Sequence, residues 1–262
     1  MTANGDLQAM GREALQLERA GRLDEAEAAY QRLLARWPDL PDTWFNLAVL
    51  QRRARRFEAA LASYQQALDR GVSQPEEAHL NRGVIYSDCL RRDEAAAVEL
   101  HAALALNPTF VPALLNLANL QEDLGQREDA LALYERVLAI DPRCHVALAR
   151  QASLRTATGP DAPTVDRLRA ALMLPGVPSA DRASLGYVLG AALEKAGAYD
   201  QAFAAIDEAN RQSRLSAGPG GARYDRGQHE RFVDALIATF STAQRPVERP
   251  ASSVQPIFVC GM

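Results

Sequence analysis

The sequence Gly21-Arg22-Leu23-Asp24-Glu25-Ala26-Glu27-Ala28-Ala29-Tyr30 is the first of four related stretches in this chain. The other three lie at residues 56–64, 93–100 and 127–134, and each places an alanine four residues before a tyrosine or a leucine. These alanines, at positions 26, 60, 96 and 130, are separated by 34, 36 and 34 residues. Because a fixed period of this length is typical of stacked supersecondary units, the spacing predicts a repeat protein.

A partner helix is predicted between each pair of these stretches. Small residues at Ala48, Gly83 and Ala118 would let the two helices of a unit approach closely. A chain reversal follows each aromatic or leucine site by about eight residues, and three of the four reversals contain a proline, at positions 38, 108 and 142. The period, the small sites, the aromatic site and the terminal proline together resemble the tetratricopeptide repeat (TPR). That resemblance implies an all-α fold, a right-handed α-solenoid of about six helix pairs.

The repeats divide the chain as follows. Clear repeats are expected at residues 7–40, 41–74, 76–109 and 111–144, and degenerate repeats at 145–178 and 183–216. An amphipathic helix at 228–240 is expected to cap the array and to shield its last repeat from water. Residues 241–255 are expected to be a linker, and residues 256–262 a short strand.

Composition points to a protein that works away from membranes and nucleic acid. The 262 residues carry a formal net charge of −4, so there is no overall positive charge to attract anionic lipid or nucleic acid. The three cysteines are far apart, and they indicate neither a zinc site nor a disulfide framework. The first residues lack a basic and apolar leader, and no stretch is long and apolar enough to span a bilayer. We therefore expect a cytoplasmic location.

Three asparagines recur in register and suggest a binding surface. Asn46, Asn81 and Asn116 are each 35 residues apart, and each precedes a small site by two residues. A side-chain amide offers a donor and an acceptor, so a row of amides can pair with the backbone of an extended peptide. The row resembles the asparagine ladder in the TPR superhelix of O-linked N-acetylglucosamine transferases, which implies a protein or peptide partner along the concave groove. The alternative is that the amides bond between adjacent helices.

Arginines cluster where the partner helix of the second repeat ends. The run Gln51-Arg52-Arg53-Ala54-Arg55-Arg56 would place Arg52 and Arg53 near the rim of the groove, where they could bind a phosphate or an acidic partner. The favoured interpretation is a solvated turn, because cations suit a helix C-terminus in any case. No Ser, Cys, His or carboxylate set has a catalytic spacing, so no catalytic residue and no metal ligand is predicted.

The C-terminal residues differ in kind from the repeats. Pro256-Ile257-Phe258-Val259-Cys260-Gly261-Met262 is an apolar run that ends in glycine, as in a strand that leads into a phosphate-binding turn. With its approach over residues 199–255, it resembles the opening of the catalytic domain in bacterial TPR-containing sulfotransferases. Cys260 departs from the aliphatic residue that is usual there. Everything after Met262 that would complete the loop and its domain is missing from this sequence.

The resemblance implies a particular cofactor chemistry. Gly261 would be the first glycine of a loop whose N–H groups hold the donor 3′-phosphoadenosine-5′-phosphosulfate in the intact parent, and the chain itself would bind no cofactor. On this hypothesis residues 1–262 are the inert, substrate-orienting part of a truncated sulfotransferase. A free-standing TPR adaptor and the TPR region of another transferase are the alternatives. The tail could also be an apolar segment that docks back on the solenoid.

Overall fold

The computed structural model describes residues 3–157, 159, 161–217 and 225–240. Within these residues the chain forms α-helices and no strand. The helices are α1 (Ala3–Arg19), α2 (Leu23–Arg36), α3 (Pro41–Arg53), α4 (Phe57–Asp69), α5 (Pro75–Val84), α6 (Asp93–Leu106), α7 (Val111–Asp123), α8 (Arg127–Ile140), α9 (His145–Ala157), α10 (Ala162–Met173), α11 (Ser179–Lys195), α12 (Tyr199–Ser216) and α13 (Arg226–Phe240). The predicted linker at 241–255 and the predicted strand at 256–262, with Gly261, lie outside the described residues.

Local chemistry explains where several helices begin. Pro41 and Pro75 open α3 and α5 at a position whose N–H would have no helical partner, so the missing donor costs nothing. Asp161 caps α10, and its carboxylate accepts a hydrogen bond of 2.6 Å from the hydroxyl of Thr164. Acidic residues such as Asp93 and Glu94 in the first turn of α6 suit the positive end of the helix dipole.

Residues 3–216 form an all-α solenoid of helix pairs. The helices of each regular pair pack against each other, as α1 with α2, α3 with α4, α5 with α6, α7 with α8 and α11 with α12. Successive pairs then stack through α2 on α3, α4 on α5, α6 on α7 and α8 on α9. The region at 145–178, predicted as the first of two degenerate repeats, is arranged differently, because α11 packs directly on α9 while α10 touches both.

The small and aromatic sites of the repeat pattern form the core. The four repeated alanines, Ala26, Ala60, Ala96 and Ala130, are completely buried. Large side chains fill the space next to them, among them Tyr64 and Tyr134, which are also completely buried. Helices α5 and α6 approach each other closely at Gly83, where an added Cβ would lie 2.9 Å from Cγ of Leu100. Only glycine therefore allows α5 and α6 to pack as closely as they do.

Both extra residues of the third repeat lie within α5 and its continuation. Pro75 opens α5 15 residues after Ala60, just as Pro41 opens α3 15 residues after Ala26. Helix α5, together with the π-helical turn Ile85–Cys89 that continues it, is two residues longer than α3.

Arg91, two residues after this turn, has a φ of 55°, and Arg55 occupies the matching place one repeat earlier with a φ of 60°. Glycine holds this left-handed position in the first and fourth repeats, at Gly21 and Gly125.

Helix α13 belongs to a separate unit that starts at residue 217. It begins two residues before the predicted start at residue 228, and it exposes Phe232 (59%) and Ile237 (60%). Its role as a cap stays a prediction. Among the described residues no helix combines the length and the apolar character that crossing a membrane requires.

Candidate functional site

The predicted asparagines lie on the first helices of three successive pairs. Asn46 on α3 is exposed, whereas Asn81 on α5 and Asn116 on α7 are half-buried. Nδ2 of Asn81 donates to the carbonyl of Glu77 and Nδ2 of Asn116 to that of Pro112, each over 2.8 Å. Each of these two bonds stays within its own helix. The alternative interpretation requires hydrogen bonds between adjacent helices. The bonds that these two amide nitrogens donate are of a different kind.

A cavity of about 650 Å³ lies beside Asn116. Its walls come from the π-helical turn, the start of α6, helix α7 and helix α9, and they are formed by Ser87, Asp88, Arg91, Asp93, Asn116, Asn119, Leu120, Glu122, Asp123 and Arg150. The lining includes four carboxylates and two guanidinium groups. The cavity is therefore polar, with an excess of negative charge, and it contains one of the three predicted asparagines.

Hydrogen bonds fix part of this lining. The hydroxyl oxygen of Tyr134 lies 2.7 Å from Oδ1 of Asn119 and 2.8 Å from Oε2 of Glu122, so its single proton is shared between these two acceptors. Burial, and then the contact with Glu122, raise the pKa of the Tyr134 hydroxyl far above its usual range. Arg150 Nη1 lies 3.4 Å from the other oxygen of Glu122. These contacts hold Asn119 and Glu122 in place without using the amide nitrogen of Asn119.

Tyrosines at the position of Tyr134 in other repeats can be compared through the residue that lies twelve positions before each of them. Tyr30 likewise contacts a residue twelve positions earlier, because its hydroxyl lies 3.2 Å from Oε2 of Glu18. In the second repeat the corresponding residues are Tyr64 and Arg52, and the buried hydroxyl of Tyr64 has no hydrogen-bond partner among the described residues. Burial is the first cause of the raised pKa of Tyr64.

The four arginines at positions 52, 53, 55 and 56 differ in whether they form ion pairs with carboxylates. Arg53 Nη1 lies 2.8 Å from Oε1 of Glu18, and Arg56 forms ion pairs with Asp24 and Glu27. In contrast, Arg52 and Arg55 form no ion pair or hydrogen bond with another described side chain. The solvated-turn interpretation therefore describes Arg53 and Arg56 better than Arg52, which is half-buried.

A second cavity contains a pair that the sequence spacing did not reveal. This cavity, of about 410 Å³, lies between α9 and α11 and is lined by His145, Val146, Ala149, Arg150, Ser153, Asp181, Ser184 and Val188. Nδ1 of His145 lies 2.9 Å from Oδ2 of Asp181, which is 36 residues further along the chain. Nε2 of His145 is buried and has no hydrogen-bond partner among the described residues, so no described serine completes a catalytic triad with this pair.

The sequence analysis named Asn116 but missed most of the residues around it. Asn119, Glu122 and Asp123 follow Asn116 on the same helix, at spacings that place side chains near one another on a helix surface. A search along α7 for polar residues at three- and four-residue intervals would have found them. Asp88 could not be found this way, because the π-helical turn changes the direction of its side chain relative to a regular helix.

No metal centre emerges from the described part of the chain, where no three His, Cys, Asp or Glu side chains are grouped to hold an ion. The loop that would hold a phosphosulfate donor begins at Gly261, outside the described residues. The residues that line the cavity of about 650 Å³ offer hydrogen-bonding groups and charges.

An array of this kind defines a helical-repeat scaffold, a class that serves protein interaction. Models of the tetratricopeptide repeat match residues 12–75, 45–97 and 93–155. These matches together run from residue 12 to residue 155, which is more than half of the 262 residues. The chain therefore belongs to the tetratricopeptide-repeat family.

One curated relative matches part of this chain. An uncharacterized protein of Aquifex aeolicus (strain VF5) is 30% identical over 169 residues, which make up 64% of this chain and 21% of that protein. The matched region thus spans about a fifth of that relative.

Among solved structures, PilF of Pseudomonas aeruginosa has a TM-score of 0.59 at 19% identity, covering 87% of this chain and 98% of that one. PilW, described as a type IV pilus biogenesis factor, has a TM-score of 0.55 at 22% identity, covering 78% and 94%. A tetratricopeptide repeat protein from Parabacteroides merdae has a TM-score of 0.54 at 19% identity, covering 88% and 84%. Such identities establish a shared fold.

Proposed function

We propose that this chain binds an extended segment of a partner protein along the surface formed by the first helices of its repeats. The observation that carries the proposal is the polar cavity of about 650 Å³ beside Asn116. A cavity of this size is large enough for a few residues of a peptide. Asn46 and Asn81, which occupy the same register position on α3 and α5, would extend the contact along the neighbouring repeats.

Two amides in the cavity complement a peptide backbone. Asn116 uses Nδ2 within its own helix, which leaves Oδ1 as an acceptor for a peptide N–H. Asn119 uses Oδ1 for Tyr134, which leaves Nδ2 as a donor for a peptide carbonyl. The two residues thus offer one acceptor and one donor from adjacent positions of α7. This pairing is independent of the side chains of the bound segment.

The charge of the cavity suggests which side chain the segment presents there. Four carboxylates face two guanidinium groups, and one of these, on Arg150, already lies near Glu122. Asp88 and Asp123 form no ion pair with another described residue. A lysine or arginine of the partner would therefore be attracted to this part of the groove.

The experiment compares wild type with Asn116→Ala in binding fluorescein-labelled alternating Lys-Ala and Gln-Ala peptides, followed by fluorescence anisotropy. We expect Lys-Ala to bind more tightly than Gln-Ala, and Asn116→Ala to weaken both by up to about tenfold, the equivalent of about 1.4 kcal/mol for its hydrogen bonds. Asn210→Ala on α12 is the matched control, because Asn210 is an exposed helical asparagine away from the cavity. Equal binding by wild type and Asn116→Ala, or no binding of either peptide to wild type, would refute the proposal.

A more specific proposal concerns the protein to which this solenoid belongs. We infer that it is the substrate-orienting region of a sulfotransferase that uses 3′-phosphoadenosine-5′-phosphosulfate. The support is the resemblance of residues 199–262, and above all of Pro256–Met262, to the approach and first catalytic strand of TPR-containing sulfotransferases. An adaptor role or fusion to another transferase remains the competing proposal.

Sequencing the DNA beyond the codon for Met262 tests this proposal directly. Continuation into Pro-Arg-Ser-Gly-Thr and an α/β domain is expected, whereas a stop codon with no continuation in any frame would favour the adaptor. A biochemical test uses residues 1–262 and calorimetry with 3′-phosphoadenosine 5′-phosphate. No specific binding is expected, because Gly261 alone cannot form an anion-binding nest. Micromolar binding would mean that the donor site lies elsewhere.

A further inference from the structure

A second cavity lies beside the one that carries the proposed function, and the two cavities share a residue. The first cavity has a volume of about 650 Å³, and the second, between α9 and α11, has a volume of about 410 Å³. Arg150 lines both of them, and its Nη1 lies 3.4 Å from Oε1 of Glu122 in the first. A segment bound in the first cavity is therefore separated from the second by the side chain of Arg150.

The row of register positions that contains Asn116 changes its chemistry from one cavity to the other. Asn116 precedes a small residue by two positions, and Arg150 on α9 and Val188 on α11 precede small residues at the same spacing. Asn116 lines the first cavity, Arg150 lines both and Val188 lines the second. The row thus continues from an amide to a cation and then to a valine. The side chain of Val188 has no polar atom, so it offers no further hydrogen bond to a peptide backbone.

Three apolar side chains from two helices lie together in the second cavity. Val146 and Ala149 come from α9, and Val188 comes from α11. Val146 is 53% exposed and Val188 is half-buried, and Ser153 and Ser184 in the same lining are exposed. The apolar patch can therefore be reached from solvent, unlike the core of the solenoid.

The charged groups of the second cavity each lie against a partner. Oδ2 of Asp181 lies 2.9 Å from Nδ1 of His145, and the guanidinium of Arg150 faces Glu122. The first cavity differs, since its lining includes four carboxylates and only two guanidinium groups. A basic side chain is therefore attracted to the first cavity, and the second offers it no comparable excess of negative charge.

We propose that the second cavity binds an apolar side chain of the partner segment, next to the basic side chain that the first cavity binds. The inference rests on the proposed function, because it assigns a second residue of the same ligand. A volume of about 410 Å³ lies within the range of about 300–1,000 Å³ that is usual for ligand cavities, so a branched side chain such as leucine can enter. Its contact with Val146, Ala149 and Val188 removes apolar surface from water, which is the main favourable term in such association.

Three fluorescein-labelled peptides of equal length test the inference by fluorescence anisotropy. They are the alternating Lys-Ala peptide and two variants of it, in which one central alanine is replaced by leucine or by asparagine. Leucine and asparagine have similar sizes, so the two variants differ mainly in the polarity of one side chain. Wild type should bind the leucine peptide about tenfold more tightly than the asparagine peptide, because a leucine side chain gains from leaving water and an amide does not.

Substitutions in the second cavity should reduce this preference for leucine. Val146→Thr and Val188→Thr exchange a methyl group for a hydroxyl at the apolar patch, and each should reduce the preference by about threefold. Val98→Thr is the matched control, because Val98 is a valine of α6 that is 68% exposed and lines neither cavity, and it should leave the preference at its wild-type value. Asn116→Ala should weaken the binding of all three peptides alike and keep the preference.

The outcomes separate this inference from the proposed function. A Lys-Ala peptide that binds while leucine gives no advantage over asparagine would overturn the inference and leave the proposed function intact. A preference for leucine that is unchanged in both valine variants would do the same. If none of the three peptides binds wild type, both proposals fail.

Photo-crosslinking locates the apolar side chain directly. The central leucine is replaced by its photoactivatable diazirine analogue, and the irradiated complex is digested with trypsin and analysed by mass spectrometry. Trypsin cleaves after arginine and lysine, so it releases Val146 in residues 144–150 and Val188 in residues 183–195. Cross-links should concentrate in these two peptides. Cross-links confined to other peptides, such as residues 93–127 with most of the first cavity, would overturn the inference.

Discussion

Nδ1 of His79 lies 2.7 Å from Oε2 of Glu99, and this contact joins α5 to α6 inside the third repeat. Glu99 is only 8% exposed, and Nε of Arg82 donates to its other oxygen over 2.8 Å. Burial by itself would raise the pKa of Glu99, but the hydrogen bonds from His79 and Arg82 outweigh it and hold the pKa below its ordinary value. The ionised form of Glu99 is therefore favoured by folding.

This lowered pKa predicts a stability that depends on acid pH. A carboxyl whose pKa is lower in the folded state contributes fully above its ordinary value of 4.5, and the contribution is lost as the pH falls through the lowered value. Glu99→Gln should lower the free energy of unfolding at pH 7 by about 2 kcal/mol and flatten its decline in acid. Urea denaturation from pH 7 to pH 3 measures both effects.

The matched control for Glu99 is Glu58, which pairs with Arg92 at 2.9 Å on the exposed surface. Because exposed ion pairs contribute about 0–1 kcal/mol, Glu58→Gln should change stability and its acid dependence little. Equal effects of the two substitutions would contradict the role assigned to burial.

Replacing Asn46, Asn81 and Asn116 together by alanine should weaken a bound peptide and spare the fold. Asn81 and Asn116 donate only to carbonyls of their own helices, and alanine has the higher helix propensity, so the melting temperature should stay the same or rise slightly. Each lost backbone-pairing bond would cost about 0.5–1.5 kcal/mol of binding, which amounts to orders of magnitude for the three residues. Anisotropy with the Lys-Ala peptide and a thermal melt give the two readouts, and a lowered melting temperature with unchanged peptide affinity would mean that the amides are structural.

The fold was predictable because one physical requirement recurs along the chain. Close helix packing demands small residues at Ala26, Ala60, Ala96 and Ala130, and these are all completely buried, so their spacing revealed the helix pairs. The degenerate region was harder, because contacts of α11 with α9 replace a regular stacking there. Pairwise spacing carries no information about such a rearrangement.

The candidate site was predictable only in part. Asn116 was found through its register, whereas the orphan hydroxyl of Tyr64 becomes visible only when each tyrosine is compared with the residue twelve positions earlier. His145 on α9 and Asp181 on α11 are 36 residues apart in the sequence. Their contact depends on the irregular packing of α11 on α9. Contacts of that kind follow from tertiary structure and leave no local pattern in the sequence.

A buried polar network joins the first two repeats, and removing the side chain at its centre should lower the stability of the fold. Gln51 is 4% exposed, and its Nε2 donates to Oε1 of Glu27 over 2.9 Å while its Oε1 accepts from the hydroxyl of Ser63 over 2.7 Å. Gln51→Ala would leave buried groups of both neighbours with a lost partner, so we expect a loss of about 2–3 kcal/mol in chemical denaturation. Gln65→Ala, at an exposed site on α4, is the control, and a similar loss there would refute the importance of the network.

Gly190 marks the closest approach of α11 and α12, and replacing it should be the most damaging of the small substitutions. An added Cβ would lie 2.4 Å from Cγ1 of Ile206, inside the contact distance of carbon atoms, so Gly190→Ala forces either the Ile206 side chain or the helices to shift. We expect it to cost about 1–3 kcal/mol, as overpacking does generally, and Ala118→Leu or Ala130→Leu at completely buried sites should cost a similar amount. Gly11→Ala in α1 is the matched control, because its Cβ would meet Leu33 at an ordinary 3.8 Å and alanine favours a helix by about 0.5–1 kcal/mol. Opposite shifts of the melting temperature for the two Gly→Ala variants are the expected result, and a stabilised Gly190→Ala would show that α11 and α12 do not pack as closely as described.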